Sequence, residues 1–165
     1  MIELLVFDVD GCLTDGGIMY GNSDAEEFKI FNVKDGFGIV SWHKLGRKSA
    51  IITGRSSRVV ERRAKELGIT YLFQDVKDKK AVLQTILDQE ALRFENSAAI
   101  GDDLNDLSLL KAVGISFAPL DALPLVKKSV DVLLSQKGGQ GCVREMIDHV
   151  VKIEGLEEEF RKLWP

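Results

Sequence analysis

A chain of 165 residues is long enough for one domain to bury a core without disulfide or metal staples. Its 45% hydrophobic and 29% charged residues exclude a disordered or collagenous protein, and a net charge of −4 gives the chain as a whole no electrostatic reason to bind nucleic acid or an anionic membrane. No apolar run reaches the roughly 20 residues that cross a bilayer, MIELLVFDVD turns acidic before a secretory core can form, and Cys12 and Cys142 without a CxxC suit reduced thiols, so the expectation is a cytoplasmic protein.

In chain order, Glu3 to Phe7 is a short apolar run that stops at Asp8, as a strand buried on both faces of a parallel sheet does. Ile18 to Phe31 has two strand-like flanks around Gly21-Asn22-Ser23-Asp24 and is expected to form a β-hairpin arm. A helix over Gly36 to Leu45 follows, then a strand over Ser49 to Ile52, a helix from Ser57 to Leu67, a strand over Tyr71 to Phe73 and a helix from Asp78 to Glu90. Ala98 to Ile100 reads as a strand, Leu104 to Val113 as a helix, and Ile115 to Ala118 and Val132 to Leu134 as further strands. The tail from about 137 to 165 combines the glycine-rich Lys137-Gly138-Gly139-Gln140-Gly141, a helix through Val151 and a piece ending at Trp164. Strand and helix alternate throughout, which predicts an α/β fold, a doubly wound parallel sheet, in one domain over 1–165 with the arm at about 18–31 and no cap domain.

The reactive crevice of such a sheet lies beyond the carboxyl ends of its strands. Asp8 and Asp10 follow the first strand, Thr53-Gly54-Arg55 the second, and Asp102, Asp103 and Asp106 the fourth, while Lys79 begins a helix between them. At about 4 Å and an effective dielectric near 20, like charges repel by on the order of 4 kcal/mol, so converging carboxylates need a countercharge. Oxygen ligands alone select a hard cation, with Mg²⁺ the best fit. An aspartate after a strand can instead be a helix N-cap, as Asp102 or Asp103 could be ahead of Leu104, and Cys12 reads as a small packing residue. His43 and His149 lie in helical stretches with no ligand partner at i±4 and are expected at the surface. Arg55, Arg58, Arg62, Arg63 and Lys65 make a basic helix balanced by Glu61 and Glu66.

Asp8-Val9-Asp10-Gly11-Cys12-Leu13-Thr14-Asp15-Gly16 resembles the first motif of the haloacid dehalogenase superfamily phosphatases, Thr53 in IITGR the second, Lys79 in DVKDKK the third and GDDLND over 101–106 the fourth. The stretches LTDGGIMYG, FNVKDGFGI, IITGR, GDDLND and KGGQGCVRE are similar to the 3-deoxy-D-manno-octulosonate 8-phosphate phosphatase group. The resemblance implies a Mg²⁺-dependent phosphomonoesterase acting on a phosphorylated sugar acid of lipopolysaccharide synthesis. It implies Asp8 as nucleophile, Asp10 as acid and base, and Thr53 and Lys79 on the phosphoryl oxygens. Asp8, Asp10 and Asp102 would hold the metal, with Asp103 and Asp106 behind them. Asn32, Val33, Lys34, Asp35, Gly36, Arg55, Arg63 and Lys79 would bind substrate. It also implies a homotetramer, with the arm or the mobile Gly138 to Gly141 loop closing a neighbour's site.

Two readings compete. Relatives acting on nine-carbon, sialic-type keto acid phosphates tend to carry Glu where Arg55 stands here, and the positive charge favours the octulosonate. A phosphoacceptor receiver module also clusters Asp, Thr and Lys around Mg²⁺, but its phosphorylated Asp follows the third strand rather than the first. An idle regulatory module is disfavoured by the presence of Asp8, Asp10, Thr53, Lys79 and Asp102 together.

Overall fold

The computed structural model describes residues 1–24 and 26–164; Ala25 in the arm and Pro165 at the end of the tail lie outside the described residues. In chain order the strands are β1 (Leu4–Phe7), the arm pair β2 (Met19–Tyr20) and β3 (Glu27–Phe28), β4 (Lys48–Ile52), β5 (Tyr71–Phe73), β6 (Ser97–Ile100), β7 (Ile115–Ala118) and β8 (Val132–Leu133). The helices are α1 (Val33–Lys44), α2 (Arg58–Leu67), α3 (Lys79–Glu90), α4 (Leu107–Leu110), α5 (Pro124–Lys127), α6 (Cys142–Ile153) and α7 (Glu157–Lys162). Six strands form one sheet in the order β5-β4-β1-β6-β7-β8, every neighbouring pair parallel. The chain runs outward from β1 through β4 to β5, then returns to β6 on the other side of β1. The strand order therefore reverses between β1 and β6, where an open α/β sheet leaves a crevice beyond its strand ends. Among the described residues no helix is long and apolar enough to cross a membrane.

Alternation along β1 builds both layers of the core. Leu5 and Phe7 face Ile39 and Trp42 of α1 and Val143, Met146, Ile147 and Val150 of α6. Leu4 and Val6 face Leu83, Ile86 and Leu87 of α3 with Leu109 and Leu110 of α4. Each large side chain so buried contributes about 1.5–3 kcal/mol, which anchors the strand whose next residue is Asp8.

Some elements differ from the sequence expectation. The helix expected over Leu104 to Val113 is a tight 3-10 turn over Leu104–Asp106 followed by the short α4. Asp106 Oδ2 accepts from the N–H groups of Asp102 and Asp103 at 3.0 and 3.2 Å, a capping box that fixes this turn. Helix α1 begins at Val33, before the expected Gly36, because the Asn32 side chain accepts from Lys34 N–H at 2.8 Å and caps it. His43 and His149 are half-buried rather than at the surface. His43 Nε2 lies 2.6 Å from Ser49 Oγ, and His149 meets the Phe117 ring edge-on at 5.4 Å. Among the described residues the arm pairs Met19 with Phe28 and Tyr20 with Glu27, and Gly21 N–H donates to the Glu26 carbonyl at 2.9 Å.

Candidate active site

Where strands β1, β4 and β6 end, their next residues meet. Asp8, Asp10, Thr53, Gly54, Arg55, Asp102, Asp103 and Asn105 line a crevice of about 170 Å³. Asp8 leads into one wide turn over Val9–Leu13, closed by Thr14 N–H on the Val9 carbonyl at 3.0 Å. Gly11 makes this turn possible: its φ of +96° is the left-handed region, and a Cβ there would lie 2.0 Å from Asp102 Oδ2. The loop after β1 can lean on the β6 loop only because Gly11 has no side chain.

Lys79, the first residue of α3, is fully buried and is the ammonium between the acids. Its Nζ donates to Asp8 Oδ1 at 2.7 Å and to Asp106 Oδ1 at 2.5 Å. Although burial favours the neutral amine, the Asp8 and Asp106 carboxylates hold its pKa above the ordinary value. Burial, then the Asp106 carboxylate, push the Asp8 carboxyl up to about 6 against the pull of Lys79. Burial, then Asp8, Asp106 and Asp103, push Asp102 up to about 7. The cluster is short of positive charge even with Lys79 in place.

That deficit is the test of a cation site. One oxygen each from Asp8 and Asp102 and the Cys12 sulfur lie within 4.8 Å of one another. Burial and the nearby carboxylates push the Cys12 thiol well up, so it stays protonated and is a poor ligand. The donors left are oxygens, which fit a hard divalent cation.

Two contacts at the mouth were not read from the sequence. Lys29, its side chain fully buried, donates to Asp10 Oδ1 at 2.5 Å. Glu27 accepts from Arg55 Nη2 at 2.9 Å. The signal was the alternation in Glu27-Phe28-Lys29-Ile30: the charged pair turns toward the crevice while Phe28 and Ile30 are exposed. Arg55 Nη1 is buried, has no hydrogen-bond partner among the described residues and lies 4.0 Å from Asp10 Oδ2.

The remaining sequence-predicted residues sit elsewhere. Asn32 to Gly36 do not line this crevice. Asn32 is the α1 cap, Val33 and Lys34 are exposed, and Asp35 is 1% exposed, its Oδ1 accepting from Arg144 N–H at 2.8 Å at the start of α6. Burial pushes Asp35 up to about 6 against the N–H groups of Arg144 and Val143. Asp35, expected among the substrate-binding residues, thus caps α6 with Oδ1, while its Oδ2 is buried without a hydrogen-bond partner among the described residues. Arg63 lines a separate groove with Phe31, Val33, Val59, Arg62 and Glu66. The glycine-rich loop, expected to be mobile and to reach a neighbour, is seated on the Val9–Leu13 turn of this same chain, with Gly139 N–H donating to the Cys12 carbonyl at 2.9 Å.

Comparison with known proteins agrees with this geometry. Residues 72–146 match the haloacid dehalogenase-like hydrolase family. The chain is 42% identical over 160 residues to the 3-deoxy-D-manno-octulosonate 8-phosphate phosphatase KdsC of Escherichia coli (strain K12), covering 97% of this chain and 85% of the relative. The fold superposes on the crystal structure of the corresponding phosphatase from Yersinia pestis with a TM-score of 0.92 at 41% identity, over 95% of this chain and 84% of that one. It superposes equally, at 0.92 and 36% identity over 98% and 93% of the two chains, on the Moraxella catarrhalis phosphatase in complex with magnesium, phosphate and KDO. Identity sustained along nearly the whole length, on a shared fold, means that the chain belongs to the haloacid dehalogenase-like hydrolases, in the family of the 3-deoxy-D-manno-octulosonate 8-phosphate phosphatases.

Proposed function

We propose that the protein is a Mg²⁺-dependent phosphomonoesterase that hydrolyses 3-deoxy-D-manno-octulosonate 8-phosphate to the free sugar acid and phosphate, as part of lipopolysaccharide synthesis in the cytoplasm. The observation that carries this is the Asp8–Lys79–Asp106 chain beside Asp102, a nucleophile, its countercharge and an oxygen-only cation seat at one strand-end crevice.

Asp8 Oδ attacks phosphorus in line with the leaving oxygen, forming an aspartyl-phosphate as the ester bond breaks. Asp10, at the crevice mouth, gives its proton to the leaving sugar oxygen. It then takes a proton from the water that attacks the aspartyl-phosphate, which frees phosphate and restores Asp8. Lys79 and Thr53 hold phosphoryl oxygens, and Lys79 keeps charge balanced beside Asp8 while the phosphoryl group moves. Asp8, Asp102 and the Asp10 carbonyl would hold Mg²⁺, which when bound offsets the negative charge of the phosphoryl group. Asp103 and Asp106 order that loop from behind. Arg55, with a free buried nitrogen facing the crevice, grips the sugar acid.

The crevice is open, and the exposed Tyr20, Phe28 and Ile30 of the arm suit burial against other copies. The assembly is accordingly a homotetramer whose arms cover neighbouring sites. Phosphate release from the octulosonate 8-phosphate and from a nine-carbon keto sugar acid 9-phosphate, with and without Mg²⁺, tests the function. The octulosonate ester is expected to turn over faster, and only with metal. Preference for the nine-carbon ester would replace the substrate assignment, and metal-independent release would end the mechanism.

A further inference from the structure

The sequence motifs FNVKD and KGGQG are absorbed neither by the crevice lining nor by the chemistry above. They meet each other directly beneath the nucleophile loop. Gly138 packs so closely there that a Cβ on it would lie 2.0 Å from the Gly11 carbonyl oxygen and 2.9 Å from that of Thr14. Its N–H is anchored on Asp121 Oδ1 at 2.9 Å. Gly139 donates to the Cys12 carbonyl at 2.9 Å, and Cys142 Sγ donates to the same carbonyl at 3.2 Å. From the other motif, Asn32 Nδ2 donates to the Gly139 carbonyl at 3.4 Å, and Asp35 caps α6 just beyond the loop. Gly11 also abuts Asp102, whose Oδ2 would lie 2.0 Å from a Cβ on Gly11. Gly11 is therefore in close contact with both Gly138 and Asp102.

We infer that the Gly138-Gly139 loop is a positioning element of this same chain, a backstop that sets how far Gly11 stands from Asp102 and so the spacing between the Asp8 and Asp102 oxygens. Close-packed backbone has little room to yield, so a side chain added at Gly138 displaces the Gly11 carbonyl and disturbs the contact that Gly11 makes with Asp102. A divalent cation held by a few oxygens responds steeply to such displacement, because Mg²⁺ demands near-ideal octahedral distances. The inference rests on the reading of Asp8 and Asp102 as the cation seat.

Two alanine variants separate spacing from loop strain. Gly138 has no left-handed φ, so Gly138→Ala adds volume against Gly11 without straining its own backbone. Gly141 has a φ of +100° with open space around its Cβ position, so Gly141→Ala strains the same loop without touching Gly11. Mg²⁺ affinity is read by calorimetry and by the rise in Tm on adding Mg²⁺ alone, with kcat and KM measured alongside. Gly138→Ala is expected to weaken Mg²⁺ binding about tenfold or more and to lower kcat at saturating metal, with KM little changed. Gly141→Ala is expected to lower Tm and leave Mg²⁺ affinity within about twofold of wild type. If Gly138→Ala does not fold, Asp121→Ala releases the Gly138 anchor at the surface and is expected to weaken Mg²⁺ binding about threefold or more. Mg²⁺ affinity unchanged in whichever of Gly138→Ala and Asp121→Ala is read, or reduced equally in Gly138→Ala and Gly141→Ala, would overturn the backstop. Wild type that gains no stability from Mg²⁺ would overturn the cation seat, and the backstop with it.

Discussion

The Lys79 ammonium lies 2.7 Å from the Asp8 carboxylate across 71 residues of sequence, with both side chains closed off from solvent. This pair closes the distance between the first strand and the third long helix, and it concentrates the charge logic of the site in one contact. Removing one partner of a buried ion pair typically costs about 3–5 kcal/mol, because the other charge is left without compensation. Lys79→Met is therefore expected to lose turnover at least about a hundredfold and to lower stability by that order, with added Mg²⁺ restoring part of the stability by supplying positive charge. Thermal melts with and without Mg²⁺ check this; a variant as stable as wild type without metal would contradict the charge balance described here.

Arg55 separates recognition from chemistry. Its side chain bonds Glu27 and faces Asp10 without touching Asp8. Arg55→Glu is expected to reduce kcat/KM on the octulosonate phosphate by about tenfold to a hundredfold more than on an aryl phosphate that lacks the acid group. Equal losses on both substrates would mean that Arg55 serves the phosphoryl group or the fold.

The pH dependence of stability carries a signature of Asp35. Its carboxyl is pushed up to about 6 in the folded protein by burial, above the ordinary value near 3.9 of an unfolded chain. The folded state thus prefers the protonated form. This contribution is fully present below about pH 4 and is lost as pH rises through about 6. Asparagine keeps an oxygen for Arg144 N–H but never ionises. Asp35→Asn is expected to be more stable than wild type at pH 8, with the difference shrinking toward pH 5. A difference independent of pH would show that the carboxyl is not strained by burial.

The strand framework was legible because strands buried on both faces read as short apolar runs, and the runs over β1 and β4 stop on Asp8 and Thr53 at the sheet's carboxyl edge, with Asp102 just past Gly101 after β6. Asp8, Thr53 and Asp102 could be placed together from that pattern alone. The arm was legible as a hairpin from Gly21-Asn22-Ser23-Asp24, but its inward face was not. That Lys29 reaches Asp10 depends on how the arm folds back over the crevice, which no local pattern encodes. Asp35 illustrates the same limit: its partner Arg144 is 109 residues away, and only the docking of α6 on α1 brings them together. The glycine-rich loop reads as mobile in sequence because glycine signals freedom; in the structure Gly138 and Gly139 approach the Gly11 to Asp15 backbone closely, while Gly141 supplies a left-handed φ. No local pattern shows that the Asp106 side chain both caps its own loop and accepts from Lys79, 27 residues away.

Assembly has a direct check on the arm. Phe28→Ser together with Ile30→Ser removes the exposed apolar face and leaves Glu27 and Lys29 turned inward. Light scattering is expected to show a tetramer for wild type and smaller species for this variant, with weaker discrimination among sugar acid phosphates. A monomeric wild type with full activity and selectivity would contradict the shared cover.

The central claim is that phosphate passes through Asp8, and trapping the covalent enzyme tests it most directly. Rapid acid quench of the protein turning over the octulosonate 8-phosphate with Mg²⁺, followed by peptide mass analysis, is expected to find one phosphoryl group on the peptide carrying Asp8. Asp8→Asn, which keeps shape but is a far poorer nucleophile, is expected to show neither the adduct nor turnover while keeping its fold. A phosphoryl group on another residue, or Asp8→Asn turning over within about tenfold of wild type, a barrier difference of only ~1.4 kcal/mol, would contradict the account.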